Sequence, residues 1–230
     1  MNSKLSEKNK NINFGVELKE PRLKKVIQIL KQNVKENDNF LDIGCSNGNL
    51  LEYFQKLGAN TFGLDINTKN IQLAKNKLLN VKICDLNQNE IPYDENYFEF
   101  IFAGEVIEHL VDTDFFIKQV YRVLKYNGKV ILTTPNLNSL ENRLRILVGY
   151  YPEWVDFSLS EGVGHVRSYN FKKLAYQLEK HNFKVISKTG SSVPYLPRVI
   201  LKKYNLPEAE ILATIFPTLS ENIIIVATKL

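Results

Sequence analysis

The sequence predicts an α/β protein, a mostly parallel sheet with helices on both faces. From residue 21 onward, short apolar runs alternate with segments of helical periodicity. A turn bearing two glycines joins the first run to its helix, and Asp42, Asp65 and Asp85 stand at or near the ends of the first three runs. Repeated strand-helix units of this kind imply parallel strands joined by helical crossovers.

Each element follows from its own pattern. Pro21 to Glu36 places Leu23, Val26, Ile27, Leu30 and Val34 on one stripe, with Pro in the first turn where its missing N–H is harmless. NFLDIG ends the first strand at Asp42 and leads through a Gly-bearing turn into a helix from about Asn47 to Leu57. TFGLDI (61–66) is the second strand, Lys69 to Leu79 the next helix and VKICDL (81–86) the third strand. FEFIFAG (98–104) is the fourth, followed by a helical stretch ending near Lys125, and KVILTTP (129–135) is the fifth. Residues 136–168 break the rhythm with Tyr150, Tyr151, Trp154 and Phe157. A helix from about Asn170 to His181 then precedes FKVISKT (183–189) and NIIIVATK (222–229), late strands suited to an antiparallel edge.

Composition bounds the answer without naming a function. With 230 residues, 44% hydrophobic and 24% charged, the chain suits one globular domain over 1–230. It has a polar arm at 1–20 and irregular segments at 136–168 and 190–217, both long enough to be functional. No run approaches the roughly 18 apolar residues of a membrane span, and the N-terminus lacks the apolar centre of a secretory signal. A cytoplasmic protein without stable membrane insertion is expected. Cys45 and Cys84 show no CxxC spacing, so neither a disulfide framework nor a zinc site is indicated. The net charge of +5 comes from residues 1–36, which carry nine Lys or Arg against four Asp or Glu; the remainder balances. That excess reads as a solvated helix face and tail, because a phosphate-reading patch should surround the catalytic mouth.

The sharpest motif is Asp42-Ile43-Gly44-Cys45-Ser46-Asn47-Gly48. Glycines at a strand-to-helix turn permit tight angles and close approach of a ligand to the backbone. The spacing is DxGxxxG rather than the GxGxxG that clears space for a pyrophosphate, which favours a ligand without phosphates. Asp65, 17 residues beyond Gly48, can accept hydrogen bonds from ribose hydroxyls, although any one Asp at a strand end could instead cap a helix or form a turn. Open α/β sheets bind ligands beyond the carboxyl ends of their strands, so Asp42, Asp65 and Asp85 should converge on one crevice.

With DIGCSNG, GLDIN, CDL, FIFAGEVIEHL and LKYNGKVILTTPN in this order, the chain resembles the class I S-adenosylmethionine-dependent methyltransferases. The resemblance implies a Rossmann-like seven-stranded sheet with an antiparallel C-terminal edge strand. By the same resemblance the turn from Gly44 through Cys45 to Gly48 would hold the methionine moiety, with Asp42 orienting its amino-acid end. Asp65 and Ile66 would meet the ribose, Asp85 and Leu86 the adenine, and Ala103 and Gly104 the sulfonium side. Segments 136–168 and 190–217 would then lie on the acceptor side.

Within that family, Glu105-Val106-Ile107-Glu108-His109, TTPN (133–136) and Gly164-His165-Val166-Arg167 resemble two groups: ubiquinone-biosynthesis O-methyltransferases and small-RNA 2′-O-methyltransferases. Both imply a divalent metal, Mg²⁺ or Mn²⁺, held through the ExxEH segment. If the stretch after strand four is helical, Glu105, Glu108 and His109 share one face, with His165 as a fourth ligand. Alternatively, the glutamates favour the positive end of a short helix and His109 packs against it. His109 or His165 could instead act as general base for a hydroxyl acceptor.

The expected activity is O-methylation of a small or amphiphilic molecule, because 135–168 carries four acids against three arginines. Three other readings compete. RNA 2′-O-methylation would show steep salt dependence, a nicotinamide oxidoreductase would bind NAD, and a silent cofactor-binding protein would release no S-adenosylhomocysteine with any acceptor.

Overall fold

The computed structural model describes residues 20–158, 162, 164–193 and 209–230. The N-terminal arm, apart from Glu20, and the middle of the 190–217 segment lie outside the described residues.

The first helix, α1 (Pro21–Asn33), buries Val26, Ile27 and Leu30, as its stripe requires. It stops three residues short of Glu36, because Val34 turns extended and Asn37 takes a left-handed φ of 68° on the way into the sheet. Strand β1 (Asn39–Ile43) runs into helix α2 (Asn49–Lys56), and β2 (Asn60–Asp65) into α3 (Thr68–Asn76). Asn67 caps α3 by accepting from the N–H groups of Lys69 and Asn70. The third strand, β3 (Asn80–Ile83), is shorter than VKICDL suggests. Its last partner is Asp65, and beyond it the Asp85 carboxylate accepts from Asn87 N–H and starts a turn.

Strand β4 (Phe98–Gly104) occupies the expected residues, but the segment beyond it departs from expectation. Instead of a continuous helix there is one 3-10 turn, Ile107–His109, and then helix α4 (Thr113–Val123), capped by Asp112. After β5 (Leu124–Pro135) comes helix α5 (Leu140–Leu147), which the 136–168 segment did not advertise, capped by Ser139 and with Asn142 its buried residue. Helix α6 (Phe171–Lys180), β6 (Phe183–Gly190), helix α7 (Ala209–Ile215), a 3-10 turn at Pro217–Leu219 and β7 (Asn222–Lys229) complete the chain.

The strands form one seven-stranded sheet in the order β3-β2-β1-β4-β5-β7-β6. Pairing is parallel from β3 to β5, and β7 runs antiparallel between β5 and β6. The C-terminal strand is thus antiparallel, as expected, and lies one position in from the edge, with β6 outermost. Alternation along the strands sorts the core into two layers. Phe40, Phe100, Phe102 and Ile131 pack towards α1, α2 and α3. Leu41, Ile43, Ile101 and Leu132 pack towards α4 and α6. The strand order reverses between β1 and β4, and a crevice opens there at their carboxyl ends.

No helix among the described residues is long and apolar enough to cross a membrane. Among the described residues, the aromatic side chains of the insertion do not make a core of their own. Tyr150, Tyr151, Trp154 and Phe157 are all more than half exposed.

Candidate active site

The glycine turn after β1 is built tightly. Gly44 and Cys45 both donate their N–H to Leu64 O, at 2.8 and 3.0 Å, and Gly44 has a φ of 78°. A methyl group on Gly44 would stand 2.6 Å from Val106 Cγ2, so glycine is required by both angle and space. Gly48 serves differently. It starts α2 with a φ of 77°, and a side chain there would strike Leu79, 2.4 Å away, so it fits the helix against α3. The Cys45 side chain is buried against Gly63, not turned to the crevice, and burial beside Asp42 and Asp65 pushes its thiol pKa up.

A cavity of about 290 Å³ opens at the switch point, lined by Gly44, Asp65, Ile66, Asp85, Leu86 and Gly104, with Glu105 and His109 at one end. Asp65 holds its place through both oxygens, accepting from Ser46 N–H at 2.8 Å and Asn67 N–H at 2.7 Å, which leaves further lone pairs for a ligand. Of the expected cofactor residues, Asp42 and Ala103 lie behind this wall. Asp42 is 3% exposed, and its pKa rises to about 7 because of burial and the nearby Asp65 charge, moderated by Arg22.

At the other end, the ExxEH segment does not present three side chains from one helical face. Glu105 sits in a left-handed turn (φ 55°) before the 3-10 turn, and its carboxylate points to Thr133, Arg22 and Asn222. The structure instead gathers Glu108, His109 and His165, whose ligand atoms all lie within 4.8 Å of one another. His165 arrives from 56 residues beyond His109 because Val166 and Arg167 N–H both bond Glu108 O, at 2.8 and 3.1 Å. The Asp156 carboxylate accepts from Gly164 N–H at 2.7 Å and His165 N–H at 2.8 Å, fixing the same loop.

Protonation follows from the partners. His109 Nδ1 lies 3.0 Å from Gly164 O and His165 Nδ1 lies 2.9 Å from Trp154 O. A carbonyl only accepts, so each Nδ1 carries a proton, which in the neutral ring leaves the Nε2 lone pair for another partner. Burial and the neighbouring His165 hold the His109 pKa down. Glu108 is 1% exposed and, among the described residues, neither of its oxygens has a hydrogen-bond partner. Its pKa rises to about 8, through burial and then the nearby Glu105 charge. A cavity of about 10 Å³, room for one small species, lies between Glu108, Thr134, Trp154 and His165.

Two contributors are not evident from sequence motifs. Arg22 reaches from α1 to the carboxyl end of β5, its side chain 12% exposed, and donates to Thr133 Oγ1 at 3.1 Å. The signal was its i, i+4 relation to Val26, which puts a cation on the core-facing stripe. Asp156 carries no local signal at all.

A family model described as a methyltransferase domain matches residues 17–188, well over half of the chain. This chain belongs to that family. The methyltransferase is 37% identical over 128 residues to the ubiquinone biosynthesis O-methyltransferase of Pelagibacter ubique, the match covering 52% of each chain. It is 33% identical over 116 residues to the mitochondrial enzyme of the same name from Mus musculus, covering 46% of this chain and 31% of that one. The methyltransferase thus spans about half or less of the length of these curated relatives. Among solved structures, an S-adenosylmethionine-dependent methyltransferase from Archaeoglobus fulgidus superposes with a TM-score of 0.65 at 21% identity, over 93% of this chain and 94% of that one. One from Mesorhizobium loti gives 0.65 at 15% identity, over 91% and 98%. These likenesses identify the fold as that of S-adenosylmethionine-dependent methyltransferases.

Proposed function

We propose that the methyltransferase transfers the methyl group of S-adenosylmethionine to a hydroxyl oxygen of a small or amphiphilic acceptor, and that Glu108, His109 and His165 hold a divalent cation, Mg²⁺ or Mn²⁺, beside that acceptor. The observation that carries the cation reading is the Glu108 carboxylate, buried and without a hydrogen-bond partner among the described residues, within 4.8 Å of a ring nitrogen of each of His109 and His165. An isolated buried carboxylate is strongly disfavoured, and a cation is the partner this donor set fits. Both histidines donate Nδ1–H to backbone carbonyls, the arrangement that orients imidazole ligands in metal sites. Carboxylate with imidazole and no thiolate suits Mg²⁺ or Mn²⁺ better than a structural zinc.

When bound, the cation supplies a Lewis-acidic point that lowers an acceptor hydroxyl's pKa, and S-adenosylmethionine supplies an activated methyl group. The chain's own residues do the positioning. Gly44 keeps the backbone clear at the end of β1, and the fixed Asp65 carboxylate would accept from the ribose hydroxyls. Asp85, Ile66 and Leu86 would flank the adenine, and Arg22 would meet the amino-acid carboxylate. Without a cation, the Nε2 of His109 or His165 would be the proton acceptor. The two buried free cysteines suit the cytoplasmic setting we assign.

The deciding experiment is a transfer assay with labelled S-adenosylmethionine and acceptors grouped as catechols and phenols, sugars, lipids and RNA, each with and without EDTA. Product on catechols or phenols that disappears with EDTA and returns with Mg²⁺ or Mn²⁺ is expected. Undiminished turnover in EDTA by both wild type and Glu108→Gln would overturn the cation reading, and product confined to RNA would overturn the acceptor class.

A further inference from the structure

Arg22 lies beside Gly104 and Glu105, two residues that line the cofactor cavity, and His109 of the cluster lines the same cavity. On one side its Nη1 donates to Thr133 Oγ1 at 3.1 Å and borders Gly104, where an added methyl would lie 3.0 Å from that nitrogen. On the other, its Nε lies 3.7 Å from Glu105 Oε1, the oxygen that also accepts from the Thr133 hydroxyl at 3.0 Å. Glu20, 47% exposed, covers the outer edge of the guanidinium at 3.1 and 3.2 Å. Glu105 is thereby held out of the group formed by Glu108, His109 and His165.

That arrangement has an electrostatic consequence. While Arg22 pairs with Glu105, it withholds a carboxylate from the cluster and adds a positive charge that opposes a cation nearby. A new carboxylate at Arg22 weakens both effects together, because the guanidinium is neutralised from the cavity side and its hold on Glu105 loosens. S-adenosylmethionine and its demethylated product both carry such a carboxylate.

We propose that Arg22 couples the two ligands of the site, so that a cofactor carboxylate engaging Arg22 frees Glu105 towards the cation cluster and each ligand raises affinity for the other. The proposal rests on the cation reading above. Coupling of this kind must be reciprocal, since it is one free energy seen from two sides.

The test is calorimetric titration of Mn²⁺ into the full chain, alone, with saturating S-adenosylhomocysteine, and with 5′-methylthioadenosine, which fills the nucleoside site but has no carboxylate. S-adenosylhomocysteine should tighten Mn²⁺ binding roughly 5- to 150-fold, and Mn²⁺ should tighten S-adenosylhomocysteine by the same factor. With 5′-methylthioadenosine the change should stay below about twofold, and Glu105→Gln should reduce the S-adenosylhomocysteine effect to the same level. Arg22→Gln should tighten Mn²⁺ with no nucleoside present, a reading that survives even if that variant binds cofactor poorly. Equal Mn²⁺ affinity with and without S-adenosylhomocysteine, or equal tightening by 5′-methylthioadenosine, would overturn the coupling and leave the cation site standing. Absence of Mn²⁺ binding under every condition would overturn both.

Discussion

Replacing Glu108 by glutamine should stabilise the cation-free protein, and by an amount that depends on pH in a defined way. The carboxyl is 1% exposed, lacks a hydrogen-bond partner on either oxygen among the described residues, and has its pKa raised from 4.5 to about 8 by burial and the Glu105 charge. An acid whose pKa is higher in the folded state costs stability above its unfolded pKa. Between about pH 4.5 and 8 the unfolded chain releases a proton that the folded chain keeps, so stability falls through that window and levels off above it. A shift of about 3.5 pH units at about 1.4 kcal/mol each is on the order of 5 kcal/mol by pH 9. Glutamine keeps the shape and removes the titration. At about 2–4 °C per kcal/mol for a domain of this size, the variant should melt roughly 10–20 °C above wild type at pH 9 in EDTA, and near it at pH 4. Thermal unfolding followed by circular dichroism across pH 4–9 reads the difference directly. Added Mn²⁺ should close the gap at high pH by stabilising wild type alone. Parallel melting curves for the two proteins from pH 4 to 9 in EDTA would refute the assignment of Glu108 as a buried, uncompensated acid.

Other perturbations address other parts of the site. Asp65→Ala should weaken S-adenosylhomocysteine binding by about 1.5–3 kcal/mol, the range for hydrogen bonds to a charged group, as read by calorimetry; unchanged affinity would remove the ribose assignment. Gly44→Ala should abolish measurable cofactor binding in the same titration, because the added methyl meets Val106 at 2.6 Å in a left-handed turn. Asp156→Ala should lower Mn²⁺ affinity roughly 10- to 100-fold, the usual effect of losing an outer partner of a ligand, while S-adenosylhomocysteine affinity holds. In a filter-binding assay, RNA retention should be weak and nearly flat with salt, since the mouth is not strongly cationic; a steep loss of tight binding with added salt would contradict that.

The parts of this molecule that were legible in the sequence are those written in local pattern. The apolar runs marked where the strands lie, and the structure sorts Leu41, Ile43 and Ile101 into one core layer and Phe40, Phe100 and Phe102 into the other. The Gly44 turn and the Asp65 and Asp85 positions followed from spacing and strand ends, and all three line the cavity. The segment after β4 was misread because periodicity cannot detect a residue in a left-handed conformation. Glu105 takes φ 55°, which turns its side chain away from those of Glu108 and His109. Gly48 looked like a ligand-facing glycine because packing against Leu79 involves a residue 31 positions away. Arg22 was hidden by composition, counted among the basic residues of a solvated face although its side chain is largely buried against Thr133 and Glu105. Asp156 could not be found locally, since its role exists only once the chain has folded back over Glu108.

That fold-back explains why an irregular insertion belongs in this site. Two parallel amides, Val166 and Arg167, bond Glu108 O, and Arg167 reaches Val111 O at 2.8 Å, so the loop is pinned to the backbone of the ExxEH segment itself. Asp156 and Trp154 then set the loop's inner side, one through the N–H groups of Gly164 and His165 and one through the imidazole Nδ1. The same loop that delivers His165 thereby covers Glu108 and strips water from it, which is what raises its pKa. Tertiary structure has therefore been arranged to make a carboxylate costly in the absence of a partner. Such local disagreement between side chain and surroundings is expected where function overrides stability. In a site built this way, tightening the loop strengthens the ligand set and increases the penalty for leaving it empty. Cation affinity and cation-free stability should consequently move in opposite directions among variants of the 154–167 loop that leave Asp156 intact.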